Sequence, residues 1–312
     1  LGHVRAIETA RRMHHVDHAV AHRRRLLEHP DGFRHAAHLD LDDALAALNQ
    51  HIVATPDDVS RRLRAAILSR QPDDAALRQA LDDLDTLEVP TPDDAILRST
   101  LHSKLGDDDT ALSVILAAHD HFPTQERITE RCLYLLRAGG KLDEARALVA
   151  RVPENWRWSQ WAGDLAHDAG DLPEAIRHYS AAIDALDTRY ALDTHQRANV
   201  LQNEQVSDAA ALTIVAVYAR LRAARADVYE RQNEDALADA DYAVAQTLIP
   251  NDTLIQLSRA LLSAKRGDLE TAKARCEAAL KNAPDALRRT YLLPLIHTAP
   301  YEALHTLANK YA

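Results

Sequence analysis

The sequence has few of the residues on which sheets, disulfide frameworks and membrane spans depend. Only 4% of its 312 residues are aromatic and there are just 8 glycines, so the composition favours an Ala/Leu-rich helical chain over a strand-based fold. The two cysteines, Cys132 and Cys276, form no disulfide framework and are predicted to be small core residues. The longest apolar run, 209–219, is interrupted by Thr213 and is too short to span a bilayer.

The sequence also lacks the motifs of common catalytic and cofactor sites. It has no G-x-S-x-G nucleophile elbow, no H-E-x-x-H zinc motif, no G-x-G-x-x-G loop and no phosphate-binding loop. One string of metal-binding residue types is present, namely Asp164, His167, Asp168 and Asp171. A metal-dependent hydrolase would need a strand ending beneath these residues, and the sequence predicts no strand there. We therefore expect a protein that is not an enzyme and needs no cofactor.

The distribution of charge bears on the class of partner. The net charge is −10, and residues 1–51 hold seven Lys or Arg against seven Asp or Glu, so the acidic excess lies after His51. Because nucleic acids attract basic surfaces, this distribution argues against a nucleic-acid partner. The chain begins at Leu1 without a Met. We expect a cytoplasmic location, or a periplasmic one if an N-terminal segment has been removed.

What the sequence does contain is a repeat with a fixed period. Four positions recur 34 residues later, and the pairs are Ala226 and Ala260, Tyr242 and Cys276, Ala245 and Ala279, and Pro250 and Pro284. Each copy fits two helices separated by a polar turn, with a proline that ends the second helix. The small residues let the two helices approach closely, and the larger residue fills the gap between neighbouring hairpins. A period of this length predicts a helical repeat fold.

One segment, residues 163–186, carries the pattern in its clearest form. It has a small residue in the first helix, a Gly-Asp turn, and a small, large, small series in the second helix; these are Gly163, Gly170, Asp171, Ala175, Tyr179 and Ala182. The segment resembles the signature of the tetratricopeptide repeat family, although Asp187 stands where that signature has its closing proline. The resemblance implies an all-α fold, a right-handed α-solenoid of stacked antiparallel helical hairpins.

An anchor alanine in the second helix marks each repeat along the chain. The seven anchors are Ala44, Ala76, Ala111, Ala145, Ala175, Ala238 and Ala272. They lie 30 to 35 residues apart, except that 63 residues separate Ala175 from Ala238, which is one period plus a 29-residue insertion. We predict seven hairpins and an irregular N-terminal pair of helices.

These anchors divide the chain into five predicted segments. Residues 1–38 form irregular His-rich helices, 39–186 hold degenerate to clear repeats, and 187–217 are a helical insertion. Residues 218–285 hold two clear repeats, and 286–312 are capping helices that shield the last repeat.

Helix starts are predicted at three places. Thr55-Pro56 and Thr91-Pro92 each supply a capping hydroxyl, followed by a proline in the first turn, where no N–H is needed. Ser207-Asp208 predicts the start of a long helix that ends near Gln232. We interpret these residues as scaffold features.

In the tetratricopeptide repeat family the first helices of successive repeats line a concave groove, so the resemblance implies a binding site for a peptide or a partner helix. The candidates are polar or aromatic first-helix residues that packing does not require, in two successive hairpins. They are Arg127, Glu130, Arg131, Tyr134, Arg137, Arg157, Gln160, Trp161, Asp164 and His167. Their charge changes from basic to acidic toward Asp227 and Glu230, which suits a peptide carrying both charges. The sequence lacks the paired Lys and Asn with which related domains clamp a chaperone's terminal carboxylate.

Two clusters have open interpretations. The three tryptophans, Trp156, Trp158 and Trp161, are either staples between hairpins or, for at least one of them, a ligand contact. His14, His18 and His22 project from one helical face and have the spacing to chelate Zn, Ni or Cu. Because no Cys or Glu completes a ligand set, a polar His-rich face is the simpler interpretation.

The sequence thus favours a non-enzymatic scaffold that binds a protein or peptide in the groove. One alternative is that the chain is the repeat portion of a larger enzyme or of an export or assembly protein. Another is a His-rich metal-binding protein. Exposed ends of a repeat array also allow a homo-oligomer.

Overall fold

The structure is a computed structural model that describes residues 33–190 and 208–311. Every regular element in these two ranges is a helix, and consecutive helices pack against one another. The predicted all-α fold of antiparallel helical hairpins is therefore confirmed. The chain forms two compact units, one ending at Gly139 and the other beginning at Gly140.

Unit 1 contains six described helices. They are α1 (Phe33–Ala54), α2 (Asp58–Leu68), α3 (Asp74–Asp85), α4 (Pro92–Lys104), α5 (Asp108–His121) and α6 (Glu126–Ala138). The pairs α2/α3 and α4/α5 are hairpins, and α6 packs against both members of the second pair. We call α2, α4 and α6 the first helices of this unit.

Unit 2 contains the remaining hairpins. Its longer helices are α7 (Leu142–Val149), α8 (Trp156–Asp168), α9 (Leu172–Tyr190), α10 (Asp208–Arg231), α11 (Asp235–Leu248), α12 (Thr253–Lys265) and α13 (Leu269–Asn282). It closes with α14 (Asp285–Leu287), a π-helix (Arg288–Leu292), α15 (Leu293–Thr298) and α16 (Glu302–Ala308). The pairs α8/α9, α10/α11 and α12/α13 are hairpins, so α8, α10 and α12 are its first helices.

The turns of the hairpins occupy one backbone conformation. Five residues at the same position of the repeat have a positive φ of 61 to 87°; they are Gly106, Gly140, Gly170, Asn233 and Gly267. An L side chain with a Cβ disfavours this left-handed region, and glycine and asparagine tolerate it best. The residue after the turn then bonds back across the helix end, as Asp171 N–H does to Ala166 O at 2.9 Å.

The small and large residues of the repeat meet inside each hairpin. Six of the seven anchor alanines are buried, and Ala44 in α1 is half-buried. Tyr179 is 3% exposed and its ring lies against Gly163, where an added Cβ would come within 2.7 Å of two ring carbons. Cys132 and Cys276 are fully buried and unpaired, as predicted. Burial raises the pKa of the Cys132 thiol to about 12 and that of Cys276 to about 11.

One predicted helix cap is confirmed and another is wrong. Thr91 caps α4, and its side chain and that of Asp94 form a reciprocal capping box. Helix α2 begins at Asp58 rather than after Thr55, because the Asp57 carboxylate accepts from the Ser60 backbone N–H at 2.8 Å and from its hydroxyl. Asp57 therefore caps α2 in place of Thr55, because its carboxylate makes two hydrogen bonds to Ser60.

Helix α10 begins at Asp208 and ends at Arg231, as predicted, and a buried ionic network fixes its position. Arg222 and Arg225 both donate to the buried Asp241 of α11, at 2.8 and 2.7 Å. Arg225 also donates to Ser180 of α9. Two cations around one desolvated carboxylate specify how three helices fit together.

The C-terminal helices cover the end of unit 2. Leu292, Leu293, Ile296 and Leu304 are buried in one cluster with Leu257 of α12. In the two described ranges, no helix is both long and apolar enough to cross a membrane.

The contact between Gly163 and Tyr179 leads to a test of the repeat packing. We expect Gly163→Ala to lower the urea midpoint and to reduce the free energy of unfolding by about 1–3 kcal/mol, because the new methyl group overlaps the Tyr179 ring. In a Tyr179→Ala background the same substitution should change the free energy of unfolding little. An equal loss in both backgrounds would show that the ring contact is not the cause.

Candidate functional site

The first helices of unit 1 lie side by side and are joined by polar contacts. Arg62 of α2 pairs with Asp94 of α4, with 2.9 Å between Nε and Oδ2. Lys104 of α4 donates to the carbonyl of Ser69 at the end of α2, at 2.6 Å. These links join α2 to α4 on the side of the unit that we call its first-helix face.

Helix α6 presents the first five candidate residues on this face. Its Arg127 is exposed and pairs with Asp93 of α4, 34 residues earlier. Arg131 is half-buried and donates to Ser99 Oγ at 3.1 Å, to Ser99 O at 3.1 Å and to Ser103 Oγ at 2.8 Å. Arg131 thus fastens α6 to α4, a structural contact that sequence reasoning did not include.

Tyr134 is the most exposed aromatic residue among the described side chains, with 57% of its surface accessible. The guanidinium carbon of Arg131 lies 5.4 Å from its ring centroid, a cation–π distance. The other two candidates on α6, Glu130 and Arg137, are half-buried. We call the part of α6 that carries these five predicted residues the α6 surface.

The candidates of α8 lie in unit 2. Arg157 stacks on the Trp156 ring at 5.2 Å, and Gln160 and Trp161 are half-buried. Of the tryptophans, Trp158 is buried and Trp156 packs against the core cluster of α9 and α10, which fits the staple interpretation for these two.

The polar candidates of α8 contact neighbouring helices. Asp164 accepts a hydrogen bond from the Tyr179 hydroxyl at 2.7 Å, so it belongs to the packing of its own hairpin. His167 lies 3.1 Å from Asp227 of α10 and 3.7 Å from Asp168. Asp227 in turn pairs with Arg231 at 3.1 Å. This contact joins the first helices α8 and α10 as Arg131 joins α6 to α4.

A further link joins α10 to α12. Lys265 donates to the carbonyl of Glu230 at 2.9 Å and to the Asp235 carboxylate at 2.7 Å. Burial raises the pKa of the Glu230 carboxyl; Asp227 and Asp235 add to this rise, and Lys265 opposes it. Both acidic neighbours of Glu230 therefore have a cation close by, Arg231 for Asp227 and Lys265 for Asp235.

Within residues 33–190 and 208–311, no group of three or more His, Cys, Asp or Glu side chains is arranged to hold a metal ion. The predicted chelating set of His14, His18 and His22 lies outside the described residues.

Comparisons with known proteins address the fold. No family model matches the sequence, and no curated protein matches it. Among solved structures, the chain is similar to an assembly chaperone of RpL4, with 16% identity over 71% of this chain and 88% of the other, at a TM-score of 0.49. It is also similar to YrrB, described as a TPR protein with an unusual peptide-binding site, with 11% identity over 69% and 96% of the two chains and a TM-score of 0.41.

A third similar structure is a tetratricopeptide repeat protein from Parabacteroides merdae, with 14% identity over 87% of this chain and 96% of the other, at a TM-score of 0.36. The fold of this chain is tetratricopeptide-like. Three features give it this character, namely the packing of Gly163 on Tyr179, the buried anchor alanines and the shared turn conformation. The similar structures do not bear on what this chain binds.

Sequence reasoning named candidate residues on α6 and α8 but missed the contacts that join the first helices. Ser99 and Ser103 were not candidates, although both accept from Arg131. Lys265 was missed as well. The only available signal was spacing, because the linked pairs stand about one repeat apart.

The raised pKa of Glu230 predicts a stability that falls with rising pH. The native carboxyl keeps its proton above the ordinary pKa of 4.5, where the unfolded chain loses it. Because only the unfolded chain ionises in this window, the free energy of unfolding falls as the pH rises through it. Glu230→Gln should raise the urea midpoint at neutral pH and leave it unchanged below pH 4.5.

The neighbouring exposed Glu234 offers the matched control, and Glu234→Gln should leave the midpoint unchanged at both pH values. A loss of stability at neutral pH in the Glu230 variant would contradict the assignment.

Proposed function

We propose that the protein is a non-enzymatic scaffold that binds a peptide or a helix of a partner protein on its first-helix faces. The observation that carries this proposal is Tyr134. A large aromatic side chain with 57% exposure on a helix contributes little to the fold, and tyrosine is among the residues most enriched at binding hot spots.

The residues around Tyr134 favour a role for this side chain in binding a partner. The Arg131 guanidinium, held by Ser99 and Ser103, stacks beside its ring. A side chain ordered before binding loses less conformational entropy when a partner arrives. The α6 surface is therefore pre-organised, on a helix that contacts both α4 and α5.

The absence of catalysis is part of the proposal. The thiols of Cys132 and Cys276 are buried, and their raised pKa values leave them protonated at neutral pH, so neither is a suitable nucleophile. Asp164 and His167, from the string that resembled a metal site, are engaged with Tyr179 and Asp227.

The test is selection of a short random peptide library against the full chain, followed by titration of the enriched peptides. We expect Tyr134→Ala to weaken their binding by about tenfold or more, because it removes the exposed contact area of a hot-spot residue. Fluorescence anisotropy gives the dissociation constants, and circular dichroism checks that the variant remains folded.

Tyr291 provides a matched control. It is 52% exposed and lies in unit 2, on the π-helix. Tyr291→Ala should leave the affinity unchanged. Failure to enrich any peptide, or equal losses in the two tyrosine variants, would refute the proposed function.

A further inference from the structure

Arg131 differs from three other half-buried arginines in what it contacts. Arg64 pairs with Asp83, and Arg222 and Arg225 pair with Asp241, so each of these cations meets a carboxylate. Arg131 is half-buried, yet its hydrogen bonds go to neutral oxygens of Ser99 and Ser103. No carboxylate of the described residues lies within ion-pair distance of it.

These contacts hold the guanidinium in place through two of its three nitrogens. Nε and Nη2 donate to the two serines, whereas Nη1 makes no hydrogen bond to the described residues. Burial lowers the pKa of the Arg131 guanidinium, but an arginine stays charged at any physiological pH. The charge of Asp108 acts on Arg131 from beyond ion-pair distance. A cation that is partly removed from water and makes no ion pair binds an anion more strongly than an exposed cation does.

The surroundings indicate the kind of anion. The Tyr134 ring stands beside the guanidinium and exposes more than half of its surface, which suits an apolar side chain next to the charged one. Arg127, a turn earlier on the same face, is exposed and its pair with Asp93 is exposed too, so that pair is weakly held and can reorganise.

We infer that Arg131 and Tyr134 form a receptor for an acidic peptide segment, in which an Asp or Glu carboxylate binds Nη1 and the adjacent apolar side chain lies on the ring. This inference rests on the proposed function and narrows it to one partner chemistry. Because the whole chain is acidic, the attraction is local to the α6 surface and is best measured at physiological salt, where distant charges are screened.

The experiment uses the full chain and four labelled synthetic peptides of equal length. In the first, Glu alternates with Leu and Phe; in the others, Gln, Lys or phosphoserine replaces every Glu. We expect the Glu peptide to bind about tenfold or more tightly than the Gln peptide, since a charge-assisted hydrogen bond is lost. The Lys peptide should bind more weakly still.

Three variants assign the effect to Arg131. Arg131→Gln should remove the preference for Glu over Gln peptides. Arg131→Lys keeps the charge but loses the planar fork, so the preference should persist at a reduced level, which covers the case that the glutamine variant fails to fold. Arg275→Gln is the matched control, because Arg275 is also half-buried, donates to a serine and lies on a second helix, α13; it should leave the preference intact.

Several results would overturn the inference. These are no binding of the Glu peptide, equal binding of the Gln or Lys peptide, and an equal effect of Arg275→Gln. Tighter binding of the phosphoserine peptide, abolished by Arg131→Gln, would assign the site to phosphopeptides instead. If peptides from the random library bind through Tyr134 but are not acidic, the inference fails while the proposed function stands.

Discussion

The close approach of the two helices within each hairpin is the contact on which the rest of the structure depends. Gly163 against the Tyr179 ring shows it most directly, because a single added carbon would overlap that ring. Equivalent positions in the next hairpins hold Ala226 and Ala260, which are fully buried. Once these pairs are packed, the turn between the helices is short and adopts the left-handed conformation of Gly170 or Asn233.

This packing has a consequence for function, because it determines which side chains remain accessible on the surface. The second helices contribute buried alanines and tyrosines to the core clusters. Neighbouring first helices share these clusters and are also joined by polar links such as Arg131 to Ser99 and His167 to Asp227. A surface joined by side-chain hydrogen bonds retains accessible polar and aromatic groups. Tyr134 is one such group.

Much of the fold could be predicted from the sequence, because small residues, turn residues and helix caps mark the repeats. Gly106, Gly170 and Gly267 mark turns in the sequence and adopt the expected conformation in the structure. The start of α2 could not be predicted in the same way, because Thr55 and Asp57 compete for one role and only the geometry around Ser60 decides between them.

The candidate surface was predictable only in part. Helical spacing places Arg127, Arg131 and Tyr134 on one face, but it does not reveal whether a cation on that face has a counter-charge. The answer depends on Ser99, a residue 32 positions away in another hairpin. The exposure of the tryptophans was equally unpredictable, because periodicity alone does not distinguish the buried Trp158 from the half-buried Trp161.

The central claim is that partners bind on the first helices, and cross-linking tests it most directly. A peptide selected on the full chain, carrying a benzophenone group, would be photo-cross-linked and the adducts mapped by mass spectrometry. The account predicts adducts within Pro92–Lys104 and Glu126–Ala138, the first helices α4 and α6. Adducts confined to the second helices, Asp74–Asp85 and Asp108–His121, would contradict it.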